Sequence, residues 1–377
     1  MSLEEFKLLP QHIDFKRIFL LSDTHLGVRA NSLEWLANIR DYFKNFYIPY
    51  LKANVQEGDI ICFLGDFFDN RQLLDINVLN VGVDIIIDIA QILPVYMMTG
   101  NHDIYKKYDT DVNSIIAFKH IPNVTIFEKP LIMTNGVSKV LVLPWVGDKE
   151  KEESYVRANK CEYIFAHTTV AGFRFDNDRP ILSTATDFSK FKNIKRLFSG
   201  HIHKRQEQGN LVYIGSPYHT KRSDINNSKG MYVFDPAKNH YEFTKNDYSP
   251  IFQKILLNHL LEFSLETTSN LLNNNYTDII VSDQHIHLFN LTKFVDILKN
   301  CKYKKIEAVN EKKRLDEELP DYMNDGVDIR DILTLLEMSI GDLGHQTEIL
   351  IRLKLMNRKY YDKANRDTDD YNLNINY

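Results

Sequence analysis

Cysteine is scarce, with three in 377 residues (Cys62, Cys161 and Cys301). They lie too far apart for a disulfide framework or a thiolate zinc knuckle, and point to a reducing compartment. Glycine and proline, 15 and 11, are too few for a collagenous or low-complexity chain. The most apolar stretch, 81–98, is broken by Asp84, Asp88, Gln91 and Pro94, which argues against a membrane span. The start, Met1-Ser2-Leu3-Glu4-Glu5-Phe6-Lys7, lacks the basic and apolar regions of a secretory signal, so a cytoplasmic location is expected. A surplus of positive charge is missing too. The formal net charge is −5, so any nucleic-acid ligand would have to be met by local basic clusters.

What is present is ordinary folded-protein material, 44% hydrophobic and 26% charged, in a chain long enough for a large α/β domain plus smaller units. Arg17 to Ser22 reads as a buried strand, and Leu33 to Lys52 carries a helical stripe that Pro49 should kink or end. Ile60 to Leu64 forms a second strand, Leu74 to Ala90 a second helix, and Pro94 to Thr99 a third strand. Asn135-Gly136 signals a hairpin. Beyond it helical patterns thin out, and short strands are expected at Tyr163–Ala166, Arg196–Ser199, Leu211–Ile214 and Met231–Phe234. The fold class expected is α/β: a two-sheet sandwich flanked by helices, with a small α/β cap domain and a helical C-terminal tail. Boundaries are placed at 1–249, 250–310 and 311–377. The last part includes a charged run, Glu311–Glu318, and helical segments at 328–340 and 346–361. No internal repeat is found.

Five clusters follow apolar strands in order: Asp23-x-His25, Gly65-Asp66-x-x-Asp69, Gly100-Asn101-His102-Asp103, His167 and Gly200-His201-x-His203. Strand ends of open α/β sheets are where ligands collect. Singly, each cluster is ordinary turn or core chemistry. Together they offer Asp, Asn and His without Cys, a set suited to manganese, iron or zinc in a catalytic rather than structural role. Alternate residues of an extended strand end point the same way, so both members of Asp-x-His and of His-x-His are expected to reach one metal centre. Asp66 is expected to bridge two cations, one through each oxygen. Basic residues follow the site loops at Lys106-Lys107, Lys204-Arg205 and Lys221-Arg222. With Arg71 and Arg174 they are candidates to hold a phosphate backbone.

The ordered set D-x-H, G-D, G-N-H-[DE], H, G-H-x-H resembles that of the calcineurin-like metallophosphoesterase superfamily. Leu26-Gly27, Gly65-Asp66-Phe67-Phe68-Asp69, Leu143-Pro144-Trp145, Tyr213-Ile214-Gly215-Ser216-Pro217 and Gly230-Met231-Tyr232-Val233-Phe234-Asp235 are most similar to the SbcD family, the nuclease subunit of SbcCD recombination-repair complexes, in its tailed-phage form. The resemblance spans roughly 15–236. It implies one metal held by Asp23, His25, Asp66 and His203 and another by Asp66, Asn101, His167 and His201. His102 would face the substrate and stabilise or protonate the leaving oxygen, steadied by Asp103, with Asp69 supporting from behind or shaping a turn. It further implies two-metal phosphodiester hydrolysis of DNA with manganese, or else magnesium: 3′-to-5′ exonuclease on duplexes and endonuclease on single strands. A homodimer through the 33–50 and 74–90 helices and an SbcC-like coiled-coil ATPase partner, docked by the C-terminal helices, complete the expectation. The rivals are a small-substrate phosphatase or cyclic-nucleotide phosphodiesterase, and a non-catalytic DNA-end-binding subunit. Residues 250–377, which a small-substrate enzyme would not need, discriminate.

Overall fold

Along Ile18–Leu21 the side chains divide by parity, and that division lays out the whole first domain. In a computed structural model, which describes residues 3–106, 109–182, 184–281, 305–310 and 327–328, Ile18 and Leu20 face one apolar core while Phe19 and Leu21 face another. Ile60 and Cys62 join the first of these, Ile61 and Phe63 the second. The first core is shared with Val140, Val142, Tyr163, Phe165 and Phe198 of a facing sheet. Their neighbours Leu141, Leu143, Ile164, Ala166 and Leu197 turn outward to a third core. Two sheets therefore lie back to back, each covered again on its far side. The expected sandwich is observed, and the fold is mixed α/β.

One sheet has six strands in the order His240–Lys245, Gly230–Asp235, Ile18–Leu21, Ile60–Phe63, Val95–Met98, Val124–Phe127. The last four run parallel and the first two are antiparallel additions. The other has seven strands, with Lys139–Leu143, Tyr163–His167, Arg196–Gly200 and Leu211–Tyr213 parallel at its centre. Leu131–Thr134 pairs antiparallel with Lys139–Leu143, as the Asn135-Gly136 signal requires. The Asn135 side chain closes that turn by accepting from the backbone N–H of Val137 and Ser138.

One expected alternative is decided, and two further features were not expected. Pro49 does not end its helix: Leu33–Tyr42 runs through a π turn at Phe43–Tyr47 into Ile48–Asn54. The wider turn sits where the proline ring and its missing N–H would disturb the preceding carbonyls. A helix over Lys149–Asn159, capped by the Asp148 side chain, has no apolar stripe to announce it. A short ladder pairs Ile104–Lys106 with Asp109–Asn113 beside the Asn101 loop.

The chain divides into two compact units after Ile251. In the second, Phe252–Leu256, Tyr276–Val281 and Lys305–Asn310 are parallel and Val327–Asp328 is antiparallel, with helices Leu257–Glu262 and Leu265–Asn274 between the first two strands. The expected charged run at 311–318 and most of the helical C-terminal tail lie outside the described residues. No described helix is long and apolar enough to cross a membrane.

Candidate metal centre

Five parallel strands, three from one sheet and two from the other, end around one point. Ile18–Leu21, Ile60–Phe63 and Val95–Met98 deliver Asp23 and His25, Asp66, and Asn101. Tyr163–His167 ends on His167, and Arg196–Gly200 delivers His201 and His203. Asp23, His25 and His203 can direct one donor atom each to within 4.8 Å of one another, and so can Asp66, His167 and His201.

The backbone reaches this arrangement by a route the strand argument did not anticipate. Asp23, His25, Asp66 and His201 all have left-handed φ, between 43° and 87°. The pairs converge because the chain curls at each strand end, not because alternate residues of an extended strand share a face. Such conformations cost non-glycine residues energy and collect at functional sites. Packing enforces them. A Cβ on Gly65, itself at φ 90°, would stand 2.5 Å from His167 Nδ1 and 2.7 Å from Gly100 Cα.

Asp66 sits between the two clusters. One carboxylate oxygen lies 3.6 Å from His25 Nε2 and 3.3 Å from His167 Nε2; the other accepts the backbone N–H of His102 at 2.7 Å. Asp23 lies 3.9 Å from His25 Nε2 and 3.8 Å from His203 Nε2. The Asn101 side-chain oxygen is 3.1 Å from His167 Nε2 and 2.6 Å from His201 Nδ1. Trp145 packs its ring against His201, centroids 4.9 Å apart.

Burial opposes charge throughout, and proximity to charge overrides it at some groups. The buried Asp66 carboxyl is nevertheless held well below the usual carboxylate range by His167, which is pushed up in turn by Asp66 against its own burial. Asp23 is raised to about 6, first by burial and then by Asp66. His201 falls to about 3 through burial and the neighbouring His167, and His203 is driven well down by burial and His25. His201 and His203 are thereby neutral, the donor state a divalent cation needs, whereas His167 and His25, pushed up beside the carboxylates, would give up a proton on binding one.

The donor set fits such cations on a further ground. Both ring nitrogens of His25 and the Nδ1 of His203 are buried without an aligned hydrogen bond. Leaving buried polar atoms unpartnered is costly, and a ligand role accounts for those aimed into the clusters.

The geometry moves one expected role, that of Asp103, and gives Asp69 a supporting place of the kind expected for it. Asp103 does not steady His102. Its carboxylate is buried behind the loop, accepting backbone N–H groups from Asp66, Gly100, Phe67 and Phe68 at 2.7, 2.8, 3.0 and 3.2 Å. Asp69 is what steadies His102: its carbonyl oxygen lies 2.6 Å from His102 Nδ1, and its carboxylate stands 3.0 Å from His25 Nδ1.

The basic residues separate. Arg71 and Lys106 are exposed, and Lys107 lies outside the described residues. Lys221 pairs with Asp176 at 2.6 Å and Lys204 with Asp178. Arg174 donates to the Asp178 carbonyl at 2.7 Å. Arg205 lays its guanidinium 4.4 Å from the Phe243 ring centroid, and Arg222 is half-buried. The acids behind two of these pairs were not singled out in the sequence. Asp176 and Asp178 stand on a hairpin turn, Phe173–Ile181, announced only by the turn-forming run Asp176-Asn177-Asp178. Asp176 also comes within 3.7 Å of His203 Nδ1. Asp224 and Lys229, a buried ion pair, were missed as well.

A calcineurin-like phosphoesterase domain matches residues 16–205. Exonuclease subunit 1 of Enterobacteria phage T4 is 28% identical over 241 residues, 61% of this chain and 68% of that protein. The DNA double-strand break repair protein Mre11 of Methanococcus maripaludis is 25% identical over 326 residues, 77% of this chain and 83% of that one.

Proposed function

Since the chain belongs to the calcineurin-like phosphoesterase family, we propose that it is a divalent-metal-dependent DNA phosphodiesterase, the nuclease subunit of an SbcCD-type complex that processes DNA ends. The observation that carries the catalytic part is the pair of Asp/His clusters meeting at Asp66, with His102 fixed at their rim. The DNA part is supported by the likeness to an exonuclease subunit and to a DNA double-strand break repair protein.

Asp23, His25, Asp66 and His203 would hold one cation, and Asp66, Asn101, His167 and His201 the other, manganese first and magnesium second. Cations bound there would supply Lewis acidity, an activated water and charge compensation for in-line displacement at phosphorus. His102 then has a defined task. Its Nδ1–H is committed to the Asp69 carbonyl, which leaves Nε2 as the working atom. Burial lowers the pKa of His102 against the pull of Asp66, so the ring is neutral near pH 7 and takes a proton on Nε2 when an anion arrives beside it. A phosphodiester is such an anion, and its leaving oxygen is where that proton would go. Of the candidate basic residues, Arg71, Lys106 and Arg174 are exposed for backbone contact. A homodimer and an SbcC-type ATPase partner belong to the same reading.

Cleavage of linear duplex and single-stranded circles with manganese, magnesium or chelator tests this, beside His102→Ala. Metal-dependent cutting lost in the variant, with metal binding retained, is expected. Hydrolysis of bis-p-nitrophenyl phosphate without DNA cutting, even with the ATPase partner added, would transfer the site to the small-substrate reading.

A further inference from the structure

The side chains of Lys229 and Asp224 are each only 1% exposed, and they pair at 2.6 Å. Burying two opposite charges is seldom the most stabilising use of core space, so such a pair calls for something it places. The second donor contact of Lys229 supplies that object. Its Nζ donates to the backbone carbonyl of His203 at 2.6 Å. The same carbonyl also accepts the backbone N–H of Ser216 at 3.1 Å. Asp224 uses its remaining oxygen to accept the backbone N–H groups of Thr220 and Lys221, at 2.8 and 3.0 Å. A single ion pair thus closes the 216–229 segment over the peptide of His203.

The His203 imidazole packs on the His25 ring, centroids 4.5 Å apart, and its Nε2 lies 3.8 Å from Asp23, both members of the same cluster. Its Nδ1 is buried without an aligned hydrogen bond, and the nearest acid, Asp176, stands 3.7 Å away. With Nδ1 lacking an aligned hydrogen bond, the backbone position is a main determinant of where the ring stands. That backbone follows a strand of the seven-stranded sheet, whereas Lys229 immediately precedes Gly230–Asp235 of the six-stranded sheet. Gly230–Asp235 pairs directly with Ile18–Leu21, the strand that leads to Asp23 and His25. Lys229 therefore joins the two sheets at the cluster whose ligands come from both.

We propose that Lys229, held by Asp224, is a positioning residue for the cation site of Asp23, His25 and His203. The proposal rests on the two-cation reading above. Manganese titration by calorimetry and electron paramagnetic resonance tests it on the full chain. Wild type should bind two ions; fewer would overturn the two-cation reading itself. Lys229→Met with Asp224→Asn removes the pair without leaving a buried charge unpaired. A purely structural role predicts two ions at wild-type affinity once that variant is folded, and that result overturns the proposal. The expected result is one ion at wild-type affinity and the other weakened at least tenfold. Should this variant fail to fold, Lys229→Arg keeps the charge but displaces the donor from the His203 carbonyl. One ion weakened at least threefold would then support the proposal, and two unchanged ions would overturn it.

Discussion

Asp66 and Asp103 hold one another's loops: the Asp103 carboxylate accepts the backbone N–H of Asp66 at 2.7 Å, while the Asp66 carboxylate accepts the backbone N–H of His102 at 2.7 Å. An acid of the proposed centre is thereby fixed through an acid that faces away from it. Asp103→Ala would orphan four buried N–H groups, each costing about 1–3 kcal/mol when unsatisfied. With partial relaxation, a loss of about 3 kcal/mol or more is expected. Denaturant unfolding of metal-free protein measures it, and an unchanged midpoint would refute the role.

Gly100 offers a sharper probe of the same loop. A Cβ there would lie 2.2 Å from Asp66 Oδ1 and 2.4 Å from Asp66 N, so Gly100→Ala must displace Asp66. If Asp66 bridges both cations as proposed, manganese affinity should fall for both ions, by roughly tenfold or more if one good ligand is lost at each. Calorimetric titration distinguishes this from the single-site loss expected at Lys229.

Glu152, which is not itself a proposed ligand, gives a pH signature of its own. It is buried, its Oε2 accepts from Thr168 and Thr186 at 2.7 and 2.5 Å, and burial pushes its carboxyl up to about 7. The unfolded chain releases this proton near the ordinary glutamate pKa, about 4.3. Between there and about 7 the folded state therefore holds more proton than the unfolded one, and stability falls as pH rises. Above that window the penalty is constant, on the order of 3 kcal/mol. The stability difference between Glu152→Gln and wild type, followed with chelator present, should grow in favour of the variant from pH 4.5 to 7 and then level off. A flat difference would refute it.

Asp178 is predicted to restrain DNA contact through Lys204. Asp178→Asn frees that ammonium, so DNA affinity at low salt should rise and the log–log salt dependence should steepen by about one unit. Anisotropy titrations across a salt series read both. Lys106→Ala should shift the slope the other way.

Much of this site was legible because its ligands are tied to strand ends, and strands announce themselves by apolar runs such as Ile60-Ile61-Cys62-Phe63. The order of Asp23, Asp66, Asn101, His167 and His201 along the chain was therefore readable, and so was their meeting at one edge. The left-handed curl at Asp23 and His25 was not, since it is imposed by tertiary packing on residues with ordinary local preferences. Nor were the supports. Asp103 adjoins His102 in sequence, which suggested a side-chain partnership, whereas the loop turns its carboxylate onto backbone amides. Lys229 and Asp224 look like solvated surface charges until the fold buries them. The helix at Lys149–Asn159 escaped for the same reason: its buried positions include Glu152 and Glu153, which no hydrophobic periodicity can flag.

The carboxylate and amide side chains of Asp23, Asp66 and Asn101 at the strand ends of one sheet meet the histidines of the other across the seam through non-covalent contacts alone, Asn101 to His201 at 2.6 Å and Asp66 to His167 at 3.3 Å among them. A cation held by both groups would act as a removable rivet between the layers. Its grip enters the folding equilibrium by mass action: at one hundred times its dissociation constant a single bound ion adds about 2.7 kcal/mol. The sandwich should then melt at a temperature that climbs with the logarithm of manganese concentration, and the cell's supply of the metal would govern how long the fold endures as well as how fast it works.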